Sequence, residues 1–239
     1  MPMPPVVTLP PGQRVVEGFP RFGTHLSKPS PQAPEAPVIE IRGAVTEPFE
    51  VTLASLAALP RQEVVADFHC VTGWTAANLR WEGVSFETFH RQVIEPALPP
   101  DTVVTHLVFR GLDGYRSVVL LEDALADGVL IADHLDGRPL DADHGAPVRL
   151  VSPAQYGYIS TKHLCRIEVH TVEPKATRAS RLDVLVRSHP RARVWEEERN
   201  GSLPNWLVRP AYRALKGLFL ALCARGSATQ PPPSDRAPR

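Results

Sequence analysis

The 239-residue sequence predicts an α+β domain built from mixed β-sheets and short helices. Short runs in which apolar and polar residues alternate are typical of strands, and they recur between residues 38 and 171. The 26 prolines favour strands, turns and irregular segments over long helices. The runs show neither a βαβ rhythm nor a fixed repeat, which argues against a parallel α/β sheet or a repeat protein.

The alternating pattern places strands at 38–42, 46–52, 63–69, 106–110, 115–121, 129–133, 148–152 and 164–171. The Gly-Leu-Asp-Gly run at 111–114 joins two of them as a hairpin. Helical turns are predicted at 55–59 and 121–126. A longer helix opens at 84–89, where Ser85 can cap it and Phe86, Phe89 and Val93 share a face.

Composition divides the chain into four segments, namely a proline-rich arm at 1–36, a domain at 37–173, a charged and helical extension at 174–225, and a disordered tail at 226–239. In the arm, Phe19-Pro20-Arg21-Phe22 is the part expected to pack. Residues 180–201 are predicted to be partly helical.

An amphipathic helix is predicted at 211–224. Its apolar residues at helical spacing are Tyr212, Leu215, Leu218, Phe219 and Leu222, and Arg209, Arg213 and Lys216 fall on another side. It is too short and too charged to span a bilayer. We expect residues 206–224 either to dock on a membrane surface or a redox partner, or to pack back on the domain.

Charge and cysteine content exclude several classes. Lys+Arg and Asp+Glu number 26 each, so the chain has no net positive charge that would attract nucleic acid. Three cysteines without a Cys-x-x-Cys pair argue against a disulfide framework and a tetrahedral zinc site. The first residues do not resemble an export signal, so a cytoplasmic location is expected.

One cysteine stands at a strand end, in Asp-Phe-His-Cys-Val-Thr-Gly-Trp at 67–74. About seventy-five residues later come His-Gly-Ala-Pro-Val-Arg-Leu at 144–150, Tyr-Gly-Tyr at 156–158 and Thr-Lys at 161–162. One thiolate combined with separate loops that supply His, Arg and Lys suits a soft metal carried by a large anionic cofactor. A buried structural cysteine is the alternative for Cys70, and packing roles are expected for Cys165 and Cys223.

These motifs resemble the sulfite oxidase family of molybdopterin enzymes, which includes the bacterial methionine sulfoxide reductase catalytic subunits. The run Cys-Val-Thr-Gly-Trp at 70–74 lies between the Cys-Ala-Gly-Asn of sulfite oxidases and the Cys-Val-Glu-Ala-Trp of the sulfoxide reductases, and is closer to the second. The resemblance covers residues 15–173 and implies the molybdopterin-binding fold of that family.

The resemblance also implies roles for single residues. Cys70 would be the molybdenum ligand and the catalytic residue. The residues that would bind the molybdenum–molybdopterin cofactor are His25, His144, Arg149, Ser160, Thr161 and Lys162. A charged guanidinium fork suits a phosphate, and hydroxyl and ammonium groups can add further donors.

The sequence departs from the sulfite oxidase pattern at two places. Asp133 stands where those enzymes carry an active-site tyrosine, and the arginine of their Arg-Asn-His segment has no counterpart before His25. Because a dianion needs several cations, these departures disfavour sulfite as the substrate. The chain shows no haem-binding His-Pro-Gly-Gly motif, so the resemblance implies a separate electron-transfer partner.

The sequence therefore favours a molybdenum-dependent oxidoreductase that transfers an oxygen atom to or from a small sulfite-like or sulfoxide-like substrate in two-electron steps. A non-catalytic binding module that keeps the fold is the first alternative. A zinc enzyme that uses His69, Cys70 and His144 is the second.

Overall fold

The computed structural model describes residues 8–22, 27–174, 189–201 and 203–228. These residues form strands β1 (Val38–Gly43), β2 (Phe49–Thr52), β3 (Arg61–His69), β4 (Thr75–Ser85), β5 (His106–Gly111), β6 (Arg116–Leu120), β7 (Leu130–Leu135), β8 (Arg138–Pro139), β9 (Arg149–Val151) and β10 (Leu164–His170). The α-helices are α1 (Leu53–Ala57), α2 (Phe86–Phe89), α3 (Leu121–Ala124) and α4 (Asn205–Ala228). A π-helical turn (His90–Ile94) and a 3₁₀ turn (Glu95–Ala97) follow α2.

The strands form two sheets. Sheet I has the order β2-β1-β10-β5-β6, with β1 and β10 parallel and the other pairs antiparallel. Sheet II has the order β3-β4-β7-β8, and β9 also pairs with β7; all of its pairs are antiparallel. Mixed sheets with short helices confirm the predicted α+β class.

The main core draws on both sheets. Ile41 and Ile167 of sheet I and Val84 and Ile131 of sheet II are completely buried in one apolar cluster. Each such side chain contributes roughly 1.5–3 kcal/mol relative to an exposed one. This core holds the two sheets together.

A second apolar cluster lies on the other face of sheet II. Because successive strand residues point to opposite faces, Ile131 enters the main core while Leu130 and Ala132 enter this cluster. Its other buried members are Cys70, Trp74, Ala76, Leu79, Trp81, Leu140 and Val151. Partly buried residues of the N-terminal segment (Val16, Phe19, Phe22) and Leu220 of α4 pack against it. The cysteine motif therefore lies under a cover made by both ends of the chain.

The longest strand, β4, is absent from the predicted elements. Residues on both of its faces are buried, so the sequence lacks the alternation that reveals a half-buried strand. Gly83 also interrupts the apolar pattern. It is needed because a Cβ there would lie 2.1 Å from the carbonyl oxygen of Ile131.

The segment 180–201 is predicted to be partly helical, and its described residues 189–201 contain no helix: they form turns and a bridge between Arg193 and Gln155. Ion pairs fix this segment without a helix: Arg191 contacts Asp123, and Arg193 contacts Glu198. Residues 180–188 lie outside the described part.

Helix α4 is longer than predicted, because it begins at Asn205 and continues through Pro210 to Ala228. The predicted boundary at 226 therefore falls inside the helix. The predicted apolar face is confirmed for Tyr212, Phe219 and Leu222, which are half-buried, and is wrong for two other residues. Leu215 and Leu218 are exposed, whereas Val208 and Cys223 face the domain. None of the described helices combines the length and apolar character needed to cross a membrane.

Candidate cofactor site

The cysteine loop is a tight turn between β3 and β4. The backbone N–H of Cys70 donates to the carbonyl of Trp74 (2.8 Å), and the N–H of Gly73 donates to the carbonyl of Cys70 (2.9 Å). Gly73 has a φ of 92°, a conformation that favours glycine. A Cβ at this position would also lie 2.9 Å from the carbonyl oxygen of Gly12. The loop thus holds the cysteine at a fixed place beside the second apolar cluster.

The Cys70 thiol is buried, with 4% of the residue exposed. Its Sγ lies 3.2 Å from Thr72 Oγ1. Burial raises the pKa of the thiol to about 11, against smaller opposing effects of Thr72 and Arg199. A thiol in this state is protonated at neutral pH, so a metal that binds it would release a proton.

The cover over Cys70 makes a testable prediction. In a Cys165→Ser/Cys223→Ser background, replacing Phe219 and Leu220 by alanine should speed modification of Cys70 by a thiol reagent. The rate of modification should rise roughly tenfold, which corresponds to a decrease of about 1.4 kcal/mol in the free energy needed to open the cover over Cys70. The matched Leu215→Ala/Leu218→Ala variant alters exposed side chains of the same helix and should leave the rate unchanged. Equal rates in the two variants would show that α4 does not cover the thiol.

Arg149 lies on β9 and is completely buried. Its guanidinium lies over the rings of Phe19 (5.9 Å), Phe68 (5.5 Å) and Trp81 (5.1 Å). It donates hydrogen bonds to the carbonyls of His144 (2.8 Å) and Ser160 (3.1 Å). Burial lowers the pKa of Arg149. Arginine nevertheless keeps its charge in proteins, so this cation is held at a cost that a bound anion would offset.

Two further cations lie close to Arg149. Lys162 donates to the carbonyl of Asp143, and Arg21 forms an ion pair with the Asp143 carboxylate (3.4 Å). Burial, followed by the charges of Arg149 and Arg21, lowers the pKa of Lys162 to about 7. Of these three cations, only Arg21 contacts a carboxylate within the described part of the chain, and this surplus of positive charge suits a phosphate group.

Gly145 allows this close approach. It has a φ of 109°, and a Cβ there would lie 3.1 Å from the Cβ of Lys162 and 3.2 Å from the Cβ of Arg149. Both ring nitrogens of the preceding His144 are engaged, Nδ1 with Asp141 Oδ1 (2.8 Å) and Nε2 with the carbonyl of Phe19 (2.9 Å).

Phe19 connects the cysteine loop to these cations. Its ring lies 6.5 Å from that of Trp74 in the cysteine loop and 4.8 Å from that of His144. It also contacts Phe68 (4.9 Å), the residue two before the cysteine. The structure thus brings Cys70, His144, Arg149 and Lys162 to one side of sheet II.

The hydroxyls of two predicted residues already take part in hydrogen bonds within the fold. Ser160 Oγ accepts from the N–H of Ser152 (3.1 Å), and Thr161 Oγ1 is hydrogen-bonded to Ser117 Oγ (2.7 Å). Their hydroxyls serve the fold itself in this structure, so a contact between these hydroxyls and a phosphate stays a prediction. His25 lies outside the described residues.

The side chains gathered here fit the molybdenum–molybdopterin cofactor that the motifs imply. A cysteine sulfur suits a soft metal, and the cation surplus suits a phosphate. Trp74 Nε1 and Arg21 Nη1 are buried without a hydrogen-bond partner, which leaves polar groups for a ligand. Among the described residues, no three His, Cys, Asp or Glu side chains converge, so the zinc alternative gains no support.

Asp133, which stands in place of a tyrosine, has a structural partner. Its carboxylate oxygens accept from Arg61 Nη1 (2.8 Å) and Nη2 (2.6 Å), and His134 Nδ1 lies 2.7 Å from Oδ1. Burial raises the pKa of Asp133, but the Arg61 and His134 contacts outweigh it, so the net shift is downward. A charged carboxylate tied to Arg61 is a poor general acid.

Comparisons with known proteins show what the chain is similar to. The family model described as oxidoreductase molybdopterin binding domain matches residues 25–178. The chain is 30% identical over 160 residues to the uncharacterized oxidoreductase YuiH of Bacillus subtilis, covering 67% of this chain and 78% of that protein. It is 28% identical over 155 residues to the protein-methionine-sulfoxide reductase catalytic subunit MsrP of Campylobacter jejuni, covering 58% of this chain and 50% of that one.

Among solved structures, the sulfane dehydrogenase SoxCD from Paracoccus pantotrophus is similar, with a TM-score of 0.51 and 22% identity over 66% of this chain and 44% of that chain. This likeness supports the fold alone. The chain spans about half of the length of the Campylobacter reductase and less than half of the SoxCD chain.

Proposed function

Because the chain belongs to the oxidoreductase molybdopterin-binding domain family, we propose that it is a molybdenum-cofactor-dependent enzyme that transfers an oxygen atom between water and a small substrate. The observation that carries the proposal is that Phe19 joins the Cys70 loop to the buried Arg149 and its half-buried neighbours Lys162 and Arg21, for which the described residues supply one contacting carboxylate. Such a pairing is hard to explain by fold stability alone, since unbalanced buried charge is costly.

The residues would divide the work as follows. Cys70 would lose its proton and hold the metal, and the bound cofactor would supply the two-electron redox centre. Arg149 and Lys162 would hold the phosphate, and Lys162 would keep its proton once an anion lies beside it. The rings of Phe19, Phe68, Trp74 and Trp81 would exclude water from the site.

We further propose a sulfoxide-like rather than a sulfite-like substrate. The Cys-Val-Thr-Gly-Trp run is closer to the sulfoxide reductase pattern, and the MsrP relatives are named as methionine sulfoxide reductases. Asp133 stands where sulfite oxidases have a tyrosine, and its carboxylate is ion-paired with Arg61, so the chain lacks that phenol donor. Electrons would come from a separate partner protein, in keeping with a relative named as a reductase subunit.

Metal content tests the proposal. Purified from a host that makes the cofactor, the chain should carry about one molybdenum per molecule, since one cysteine is proposed to hold one metal. Elemental analysis that finds no molybdenum in folded protein would favour the second candidate, a non-catalytic module. The deep burial of Cys70 is the observation that favours that candidate. Screening of sulfite, sulfoxides and N-oxides with the loaded protein should find turnover with sulfoxides.

Docking through residues 206–224 also remains a proposal. Trp206 and Leu218 are 75% and 57% exposed on α4, and Arg213 is exposed beside them. This surface suits either a redox partner or a membrane. Deleting residues 204–239 should weaken association with whichever of them binds. The cytoplasmic location stays a prediction from the sequence.

A further inference from the structure

A small basic cavity lies between the cysteine loop, the N-terminal segment and α4. It encloses about 30 Å³ and is lined by five cationic side chains, namely Arg14, Arg199, Arg209, Arg213 and Lys216. One water molecule needs a cavity of roughly 10–15 Å³. This cavity therefore has room for two or three water molecules or for a small anion. None of the five cations lies in the range 25–178 that matches the family. The positive charge of the cavity therefore comes from residues on either side of the family domain, whereas Thr72 and Gly73 of its wall lie inside that domain.

The charges around the cavity are not balanced. Glu197 forms an ion pair with Arg209, whose Nε donates to Glu197 Oε1 (2.8 Å), and the same oxygen lies 3.7 Å from Arg199 Nε. Within the described ranges, Arg14, Arg213 and Lys216 contact no carboxylate. In the described part of the chain, the five cations that line the cavity are therefore balanced by the carboxylate of Glu197 alone.

Arg199 gives an independent sign of a ligand. The residue is 2% exposed, and its guanidinium lies 5.0 Å from the ring centroid of Tyr156. Its two terminal nitrogens donate to the carbonyls of Val71 and Pro11, which fixes the group in place. Its Nε is buried and has no hydrogen-bond acceptor among the residues that the structure describes, since 3.7 Å to Glu197 is too long for a hydrogen bond. A buried N–H without an acceptor is destabilising, and an oxygen in the cavity would satisfy it.

We propose that this cavity binds a tetrahedral oxyanion of the phosphate class, either as a free ion or as the terminal group of an organic ligand. The guanidinium and ammonium groups are the natural donors for such oxygens. Binding would tie three parts of the chain to the cysteine loop, because the cations come from the N-terminal segment, the 189–201 segment and α4, and the cavity wall includes Thr72 and Gly73. Thr72 also contacts Cys70 Sγ (3.2 Å), so the occupant lies close to the proposed metal ligand.

Calorimetric titration of the full chain tests this site without any need for the metal. One arm uses inorganic phosphate and the other glycerol 3-phosphate, with ionic strength held constant by sodium chloride. Saturable binding is expected in at least one arm. Tighter binding of inorganic phosphate identifies a free ion as the ligand, and tighter binding of the ester identifies the terminal group of an organic molecule. No saturable heat in either arm overturns the proposal.

A matched pair of variants locates the binding. Arg213→Gln/Lys216→Gln removes two cations that no carboxylate contacts, and affinity should fall roughly tenfold or more, because charge-assisted hydrogen bonds are lost. Lys28→Gln/Arg225→Gln makes the same change in net charge at exposed residues away from the cavity. Because salt screens the attraction between distant exposed charges and the anion, this variant should change the affinity less than twofold. An equal loss in both variants would mean general charge attraction and would overturn the site. Circular dichroism checks that all variants are folded.

Discussion

Turnover by the molybdenum-loaded enzyme is expected to disappear when Cys70 is replaced by serine. Loss of a residue that only orients a metal ligand costs about 10–100-fold, so loss of the ligand itself should exceed about 100-fold. A serine hydroxyl is a poor replacement because it is a harder and far less acidic donor than a thiol. The measurement is the rate of sulfoxide reduction with an artificial electron donor, normalised to molybdenum content.

Cys165→Ser is the matched control. That cysteine lies in β10 at partial exposure, with Sγ directed to the carbonyl of Arg110, and its replacement should leave turnover within about twofold. Wild-type rates in Cys70→Ser would remove the proposed ligand from the mechanism. The fold should survive the Cys70 change, because the turn is held by backbone hydrogen bonds and by Gly73.

The second large effect concerns the stability of the cofactor-free protein between pH 7 and pH 9. Below pH 7 Lys162 is protonated in both the folded and the unfolded state. The folded state is then destabilised by the full cost of burying the charged ammonium group. Between the lowered pKa of Lys162, about 7, and its ordinary value of 10.5, only the unfolded state holds that proton. The free energy of unfolding should therefore rise with pH, by at most about 1.4 kcal/mol per pH unit. Above pH 9 the raised pKa of Cys70 acts in the opposite direction.

Two comparisons make this test specific. Lys162→Met should abolish the rise, whereas Lys28→Met, at an exposed lysine, should keep it. Molybdenum-loaded protein should also lack the rise, because a phosphate beside Lys162 would hold its proton in the folded state. Denaturant unfolding at a series of pH values measures the slope. A rise that persists in Lys162→Met would assign it to other groups.

The sequence predicts those parts of the fold whose signals are local. Strands such as β1 and β10 alternate apolar and polar residues, and Ser85 caps its helix as expected, with Oγ accepting from the N–H of Thr88 (3.0 Å). Strand β4 is missed because both of its faces are buried. Leu215 and Leu218 are wrongly assigned to the packed face of α4, because helical spacing shows that a stripe exists but not which of its residues the domain covers.

In the candidate site, too, the residues with local sequence signals are predictable and those placed by long-range contacts are not. The motifs around Cys70, His144, Arg149 and Lys162 are readable in the sequence, and the family match to residues 25–178 confirms the resemblance that they suggested. Packing of the Phe-Pro-Arg-Phe segment is also confirmed, since Phe19 and Phe22 pack against the second cluster. The approach of Arg21 to Asp143 and the part played by Arg199 could not be read, because both depend on contacts between residues more than a hundred positions apart.

X-ray absorption at the molybdenum edge tests the central claim most directly. The account predicts that molybdenum in the Cys70→Ser protein has one sulfur neighbour fewer than molybdenum in the wild-type protein, while Cys165→Ser shows the wild-type number. An unchanged number of sulfur neighbours in Cys70→Ser would contradict the account, because the protein would then hold its metal without the sulfur of this cysteine.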